Sequence, residues 1–242
     1  MNPLEMAAER SHWAHHNVGE KVLLFIGSAG LAVALPPIPG LPLITALIAG
    51  AVIRAQIPLR LYFGVCIAPM SFVIIGVIPL LLSITTHGIE LHFSQWEQAL
   101  TVVSRSCVAT TAVMAFALTT PMAEIIAWSL HIGMPTPLVY VVTAMYRMVN
   151  TLIGSARTMW DAQAMRLGHS SIKRWIGSVA GQAAGLFVIA FDRARRLSEG
   201  LELRADRTAL LVAHPRRQAN TTRLSCYVAV LATITAFSFI SF

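Results

Sequence analysis

Two stretches of this chain offer a chemistry that the rest of it lacks. Residues 161–168 read DAQAMRLG and residues 192–205 read DRARRLSEGLELRA; each sets an arginine, Arg166 or Arg204, shortly before a small residue, Gly168 or Ala205. A guanidinium is a permanently charged planar fork that holds a carboxylate through two parallel hydrogen bonds. Presented at the end of a helix, such a group suits gripping a partner better than moving protons.

No enzyme motif accompanies the arginines. GxxxxGK[ST], HExxH, GxSxG and a glycine-rich dinucleotide turn are all missing from the sequence, and neither lysine, Lys21 or Lys173, stands in a phosphate-binding loop. None of the eleven carboxylates is expected in a strong buried pair. The chain by itself is therefore not expected to be an enzyme or to bind a cofactor. His12, His15 and His16 would share one face of an α-helix, a spacing at which neutral imidazoles bind transition metals. They have no acidic or cysteine partner at matching spacing, so polar residues at a membrane interface are the simpler account and no metal site is assigned. His87 and His92 share a later loop and carry the idea less far. Cys66, Cys107 and Cys226 lie far apart in apolar runs and read as small reduced core residues.

The elements that must position the arginines follow from composition. Hydrophobic residues make up 56% of the 242 and charged residues 12%, with mean hydropathy +0.67. A soluble domain carries about 25% charged residues, so this chain cannot cover a water-facing surface and belongs in the lipid bilayer. Segment 155–223 holds 12 of the 18 Lys and Arg against 5 of the 11 Asp and Glu, so the whole net charge of +7 resides there. The positive-inside tendency accounts for that segment as cytoplasmic without a nucleic-acid partner.

Apolar runs at 22–36, 41–53, 61–84, 99–119 and 225–242 predict an all-α integral membrane protein with about five spans. The first two runs are short and separated by the PPIPG turn at 36–40; two spans are favoured over a re-entrant hairpin. Arg10 and Lys21 before the first run, Arg54 and Arg60 after the second, and an arginine- and lysine-free loop after the third place the N-terminus in the cytoplasm and the C-terminus outside. The spans occupy 1–119 and 225–242. Between them, 120–223 is expected to form a cytoplasmic-side region of long helices at about 121–133, 138–168 and 172–205. Thr120 and Pro121 suit the start of the first of these, with Glu124 near its positive end. The apolar stems at 138–154 and 175–191 approach the length of a span but are expected to pack against the spans. Arg105, inside the fourth run, reads as snorkelling to the outer interface, and Arg147 as paired or capping.

The order TTP, a short helix closed by Gly133 and Pro135, MYR at 145–147, AQAMRLG and a basic helix ending ELRA resembles the CbiQ-type transmembrane component of energy-coupling factor transporters. WAHHNVGEKVLLF near the start is similar to that family's N-terminal stretch. The resemblance implies a scaffold in the cell's inner membrane whose two coupling helices dock on two ABC-type ATPase subunits. Other helices would hold a substrate-capture membrane subunit, with a small accessory membrane subunit beside it. It places the docking motifs on Ala164, Met165, Arg166, Leu167 and Gly168, and on Leu203, Arg204 and Ala205, supported by Arg193, Arg195, Arg196 and Leu201. Met165 or Leu203 stands where the family commonly has alanine, and Leu167 or Ala205 where it has glycine. ATP and Mg would be bound by the partner ATPase; Co²⁺ or Ni²⁺ would be the cargo. The alternative from the residues alone is a self-sufficient secondary carrier or channel for metal, for which Arg105 and the PPIPG turn are the candidates.

Overall fold

The computed structural model describes residues 3–85, 88–91, 96–203 and 221–240. Its helices are α1 (Pro3–Arg10), α2 (Val18–Lys21), α3 (Gly27–Ala34), α4 (Pro37–Arg54), α5 (Leu59–Leu81), α6 (Trp96–Thr119), α7 (Met122–Ser129), α8 (Thr136–Met165), α9 (Ile172–Glu202) and α10 (Thr221–Ile240). Short 3-10 turns stand at His12–His15 and Leu130–Ile132, and a π turn at Val22–Ile26 joins α2 to α3. The loop after α5 holds one antiparallel hairpin, β1 (Leu82–Thr85) and β2 (Gly88–Leu91), with Ile84 opposite Ile89. The third apolar run thus ends as helix at Leu81 and continues as strand. Ser83, Ile84 and Thr85 are mostly β-branched residues that fit a pleated ladder.

The chain divides into two compact units, Met1–Ile125 with Pro215–Phe242, and Ile126–His214. In the first, α6 packs against α1, α3, α4 and α5, while α10 packs on α4. The reason is a face of α6 at helical spacing: Val108, Ala112, Ala115 and Leu118 are all buried. Its alanines admit neighbouring helices closely, and Phe25, Ala32, Ile44, Ile48 and Cys66 complete the core. Cys66 is the buried thiol expected; Cys226, by contrast, is exposed.

Among the described residues, four helices are long and apolar enough to cross a membrane: Pro37–Arg54, Leu59–Pro79, Trp96–Thr119 and Ile172–Glu202. This makes an all-α membrane protein. The first apolar run is built in two pieces, a π turn of 5 residues and the 8-residue α3, led in by the 4-residue α2. It packs on α4 across the Leu35–Pro36 turn. Inside α4, Ile38 keeps φ −121° and ψ 124° because the following Pro39 disfavours helix at the residue before it. The last run forms α10, 20 residues long.

The unit boundary leaves the first turn of α7 with the membrane helices. Thr120 does not cap that helix: its Oγ1 is buried with no hydrogen-bond partner among the described residues. Pro121 O accepts from Glu124 N and Ile125 N instead, so the helix begins at Met122.

In the second unit, Gly133 turns the chain at φ 90°, and α8 starts at Thr136 with Pro135 at its cap. That is earlier than the start after Pro137 predicted from the sequence, since a proline is tolerated in the first helical turn. The hairpin of α8 and α9 is tied by Gln182 Nε2 donating to Ala156 O at 2.7 Å. It is also close enough at Gly185 that a Cβ there would meet Met159 Cε at 3.1 Å. Phe187, Phe191 and Met145 are 70%, 65% and 60% exposed on this hairpin, a run of apolar surface that water alone would not favour.

Candidate functional site

The end of α8 is closed by paired bonds that run backwards along the helix. Leu167 N donates to Ala164 O at 3.0 Å and Gly168 N to Gln163 O at 2.9 Å, the Schellman arrangement. Arg166 is the C-cap of that arrangement and Leu167 the left-handed residue after it, at φ 56°. The position usually goes to glycine, because a side chain there costs about 1–2 kcal/mol.

The next residue explains why glycine sits one place later. A Cβ on Gly168 would lie 2.5 Å from Ser178 Oγ and 2.9 Å from Gln163 O. Ser178 itself donates to Gly168 O at 3.1 Å, tying α9 to the tip. His169 stacks on Trp160 with ring centroids 4.2 Å apart, and Arg174 reaches Ser170 Oγ at 3.0 Å. Arg166 is thus projected from a tied corner. It is exposed, makes no ion pair or hydrogen bond through its side chain among the described residues, and lies between Met165 and Leu167, which are 88% and 66% exposed.

Substituting Leu167 by glycine is expected to raise the stability of the α8–α9 hairpin by up to about 1 kcal/mol. Thermal unfolding of the detergent-solubilised chain checks this. If the Leu167 side chain serves a partner, the same variant weakens association while it stabilises the fold, the trade found where strain sits at a working site.

The second tip is only partly described. Arg195 Nε meets Glu199 Oε1 at 3.0 Å and Arg196 NH2 meets Asp192 Oδ2 at 2.8 Å, both within α9 and highly exposed. Such surface pairs contribute little to stability. They set the helix face without committing its charges elsewhere. Arg193 NH1 is buried with no hydrogen-bond partner among the described residues, Leu201 is half-buried and Leu203 is 88% exposed. Arg204 and Ala205 lie outside the described residues.

The histidines do not share an α-helical face. His12 to His15 form a 3-10 turn capped by Ser11, and His16 is extended at ψ 155°. His16 stacks on Trp13 at 5.4 Å, with Arg223 NH1 at 3.3 Å from its Nε2. No three His, Cys, Asp or Glu side chains converge around a metal among the described residues. Partial burial, then the Arg223 guanidinium, hold the His16 imidazole below its usual pKa. A lowered histidine pKa means the unfolded chain binds the proton better. Stability from His16 is therefore complete above about pH 6.5 and is lost as pH falls through the lower folded value. Unfolding temperature should drop between pH 7.5 and 5.5, and His16→Gln should flatten that slope, as differential scanning fluorimetry would register.

Two further residues differ from their sequence readings. Arg105 does not reach for the interface: its NH2 donates to Leu35 O at 2.9 Å, answering a carbonyl at the end of α3. Arg147 is exposed and its side chain is unpaired among the described residues. Sequence reasoning also missed a buried ion pair. Lys21, 1% exposed, donates to Thr119 O at 2.9 Å and lies 3.8 Å from Glu124 Oε2. The available signal was Lys21 itself, one of two lysines, set immediately before an apolar run.

The profile of the family described as CbiQ, cobalt transport protein, matches residues 10–205, which includes both tips. The chain belongs to the CbiQ family of cobalt transport proteins. It is similar to the cobalt transport protein CbiQ of Rhodobacter capsulatus, 33% identical over 234 residues that cover 96% of each chain. It is also similar to the putative fused cobalt transport protein CbiMQ of Methanocorpusculum labreanum, 28% identical over 224 residues, covering 86% of this chain and 37% of that one. An uncharacterized protein of Methanocaldococcus jannaschii, MJ1089, is 26% identical over 155 residues, 60% of this chain. Its membership and its long apolar helices make it a membrane component of cobalt transport, in a transport family that is not a known enzyme family.

Proposed function

We propose that this chain is the membrane scaffold and coupling component of an ATP-driven importer for cobalt or nickel of the energy-coupling factor type. Two ABC-type ATPase subunits, which bind ATP and Mg, grip the arginine tips at 164–168 and 203–205. Their closure on ATP drives the tips together, and the α8 and α9 stems pass the motion to a substrate-capture membrane subunit accompanied by a small accessory one. The chain lies in the inner membrane with its N-terminus and tips in the cytoplasm and its C-terminus outside; it uses no nucleic acid.

The observation that carries this reading is the form of the first tip. Arg166 stands exposed at a helix end fixed by backbone bonds, with an unpaired guanidinium among the described residues and two exposed apolar neighbours. That arrangement favours insertion into an acidic groove with an apolar rim. The fused CbiMQ relative, matched over 37% of its length, carries a further stretch of chain; this supports a second transport component beside the one described here. The secondary-carrier reading is weakened because Arg105 is committed to the Leu35 carbonyl.

Affinity purification of the tagged chain from its own membranes in mild detergent tests the proposal. The expected result is co-purification of an ATPase pair and another membrane protein, with metal-stimulated ATP hydrolysis. Recovery of the chain alone, active as a carrier, would overturn it.

A further inference from the structure

The buried ion pair stands at a corner where it has mechanical consequences. Thr119 is the last residue of α6, and Glu124 lies in the first turn of α7. One ammonium, Lys21 Nζ, answers both: the carbonyl end of α6 at 2.9 Å and the carboxylate at the amide end of α7 at 3.8 Å. An ammonium is retained at 1% exposure only where it is paired and hydrogen-bonded. At this corner the Thr119 hydroxyl turns back to Ala115 O at 2.8 Å, Thr120 Oγ1 is buried without a hydrogen-bond partner among the described residues, and Pro121 has no N–H. Glu20, beside Lys21, is also buried, at 3% exposure, so the end of the N-terminal segment is drawn into the same place. Beyond Ile125 the chain passes to the second unit.

We infer that Lys21 is a positioning residue for coupling: the Lys21–Thr119–Glu124 clasp stiffens the α6–α7 corner. Load arriving along the chain from the coupling helices is then delivered to α6, the helix about which the first unit packs. Without the clasp the corner yields and absorbs it. The inference rests on the proposed coupling role, and its test keeps the two apart.

The assembled complex is purified with wild-type chain and with the double variant Lys21→Met/Glu124→Met, which replaces a buried ion pair by apolar side chains of similar volume and so tends to preserve the fold. ATP hydrolysis and ⁵⁷Co²⁺ uptake are measured on the same proteoliposomes. The clasp predicts that the double variant still binds the ATPase pair and hydrolyses ATP, while cobalt moved per ATP falls by about tenfold or more. A clasp that merely holds the fold predicts an unchanged ratio, and that result overturns the inference. Should the double variant not assemble, Glu124→Gln carries the same test, with a smaller loss of cobalt per ATP expected and an unchanged ratio again contradicting it. Absence of any ATPase from the wild-type preparation is a separate outcome and overturns the coupling reading on which the inference stands.

Discussion

Replacing Arg166 and Arg204 together by alanine is expected to weaken ATPase association by about 100-fold or more and to abolish coupled cobalt uptake. The size follows from the chemistry of a buried charged contact. Truncating one partner of a hydrogen-bonded charge pair at an interface costs about 2–5 kcal/mol, much of it the penalty of stranding the other charge. Arg166 is exposed and has no side-chain partner among the described residues, so its loss removes nothing that the described fold uses. Membrane insertion and unfolding temperature should therefore match wild type, and Arg166→Ala alone should already show part of the loss. Pull-down of the ATPase pair at fixed detergent and salt reads the effect; wild-type binding and transport in the double variant would dispose of the docking role.

Gly168→Ala should do the opposite, acting on the fold before it acts on a partner. Its new Cβ meets a backbone oxygen, Gln163 O, at 2.9 Å and Ser178 Oγ at 2.5 Å. The serine can rotate, but only by giving up its bond to Gly168 O at 3.1 Å. The backbone oxygen cannot yield without opening the bond from Gly168 N that closes α8. A cost of about 1–3 kcal/mol is expected for such crowding, confined to the tip. Hydrogen exchange should show faster opening of 163–170 in the variant with the rest of α8 unchanged. Since Leu167→Gly is expected to stabilise, gaining a glycine at 167 and losing one at 168 should move stability in opposite directions. Helix propensity alone would give both signs reversed.

Much of this was legible without coordinates. The periodic apolar runs, the concentration of positive charge in 155–223 and the proline and glycine punctuation at 133–137 together place α6, α8 and α9 within a few residues of where they lie. The exposed arginine at the end of α8 follows from the same pattern. What was not legible depends on distance or on backbone detail. Lys21 and Thr119 are 98 positions apart, and nothing in local spacing reports that one carbonyl and one ammonium meet. The spacing of the histidine trio fits an α-helical face only at period 3.6, whereas Ser11, accepting from Trp13 N, sets a 3-10 turn. The hairpin at 82–91 was hidden in an apolar run that satisfies helix and strand equally. Leu167 gives no sign of its left-handed backbone, since the tertiary bonds around Gly168 impose it.

The central claim, that this chain transmits ATP-derived motion and does not carry metal on its own, is tested most directly by cobalt uptake in proteoliposomes. The purified complex, loaded with ATP and Mg on the side of the tips, should accumulate ⁵⁷Co²⁺, stop when a non-hydrolysable analogue replaces ATP, and fail when the chain is reconstituted alone under an ion gradient. Gradient-driven accumulation by the chain alone, unaffected by Arg166→Ala/Arg204→Ala, would contradict the account.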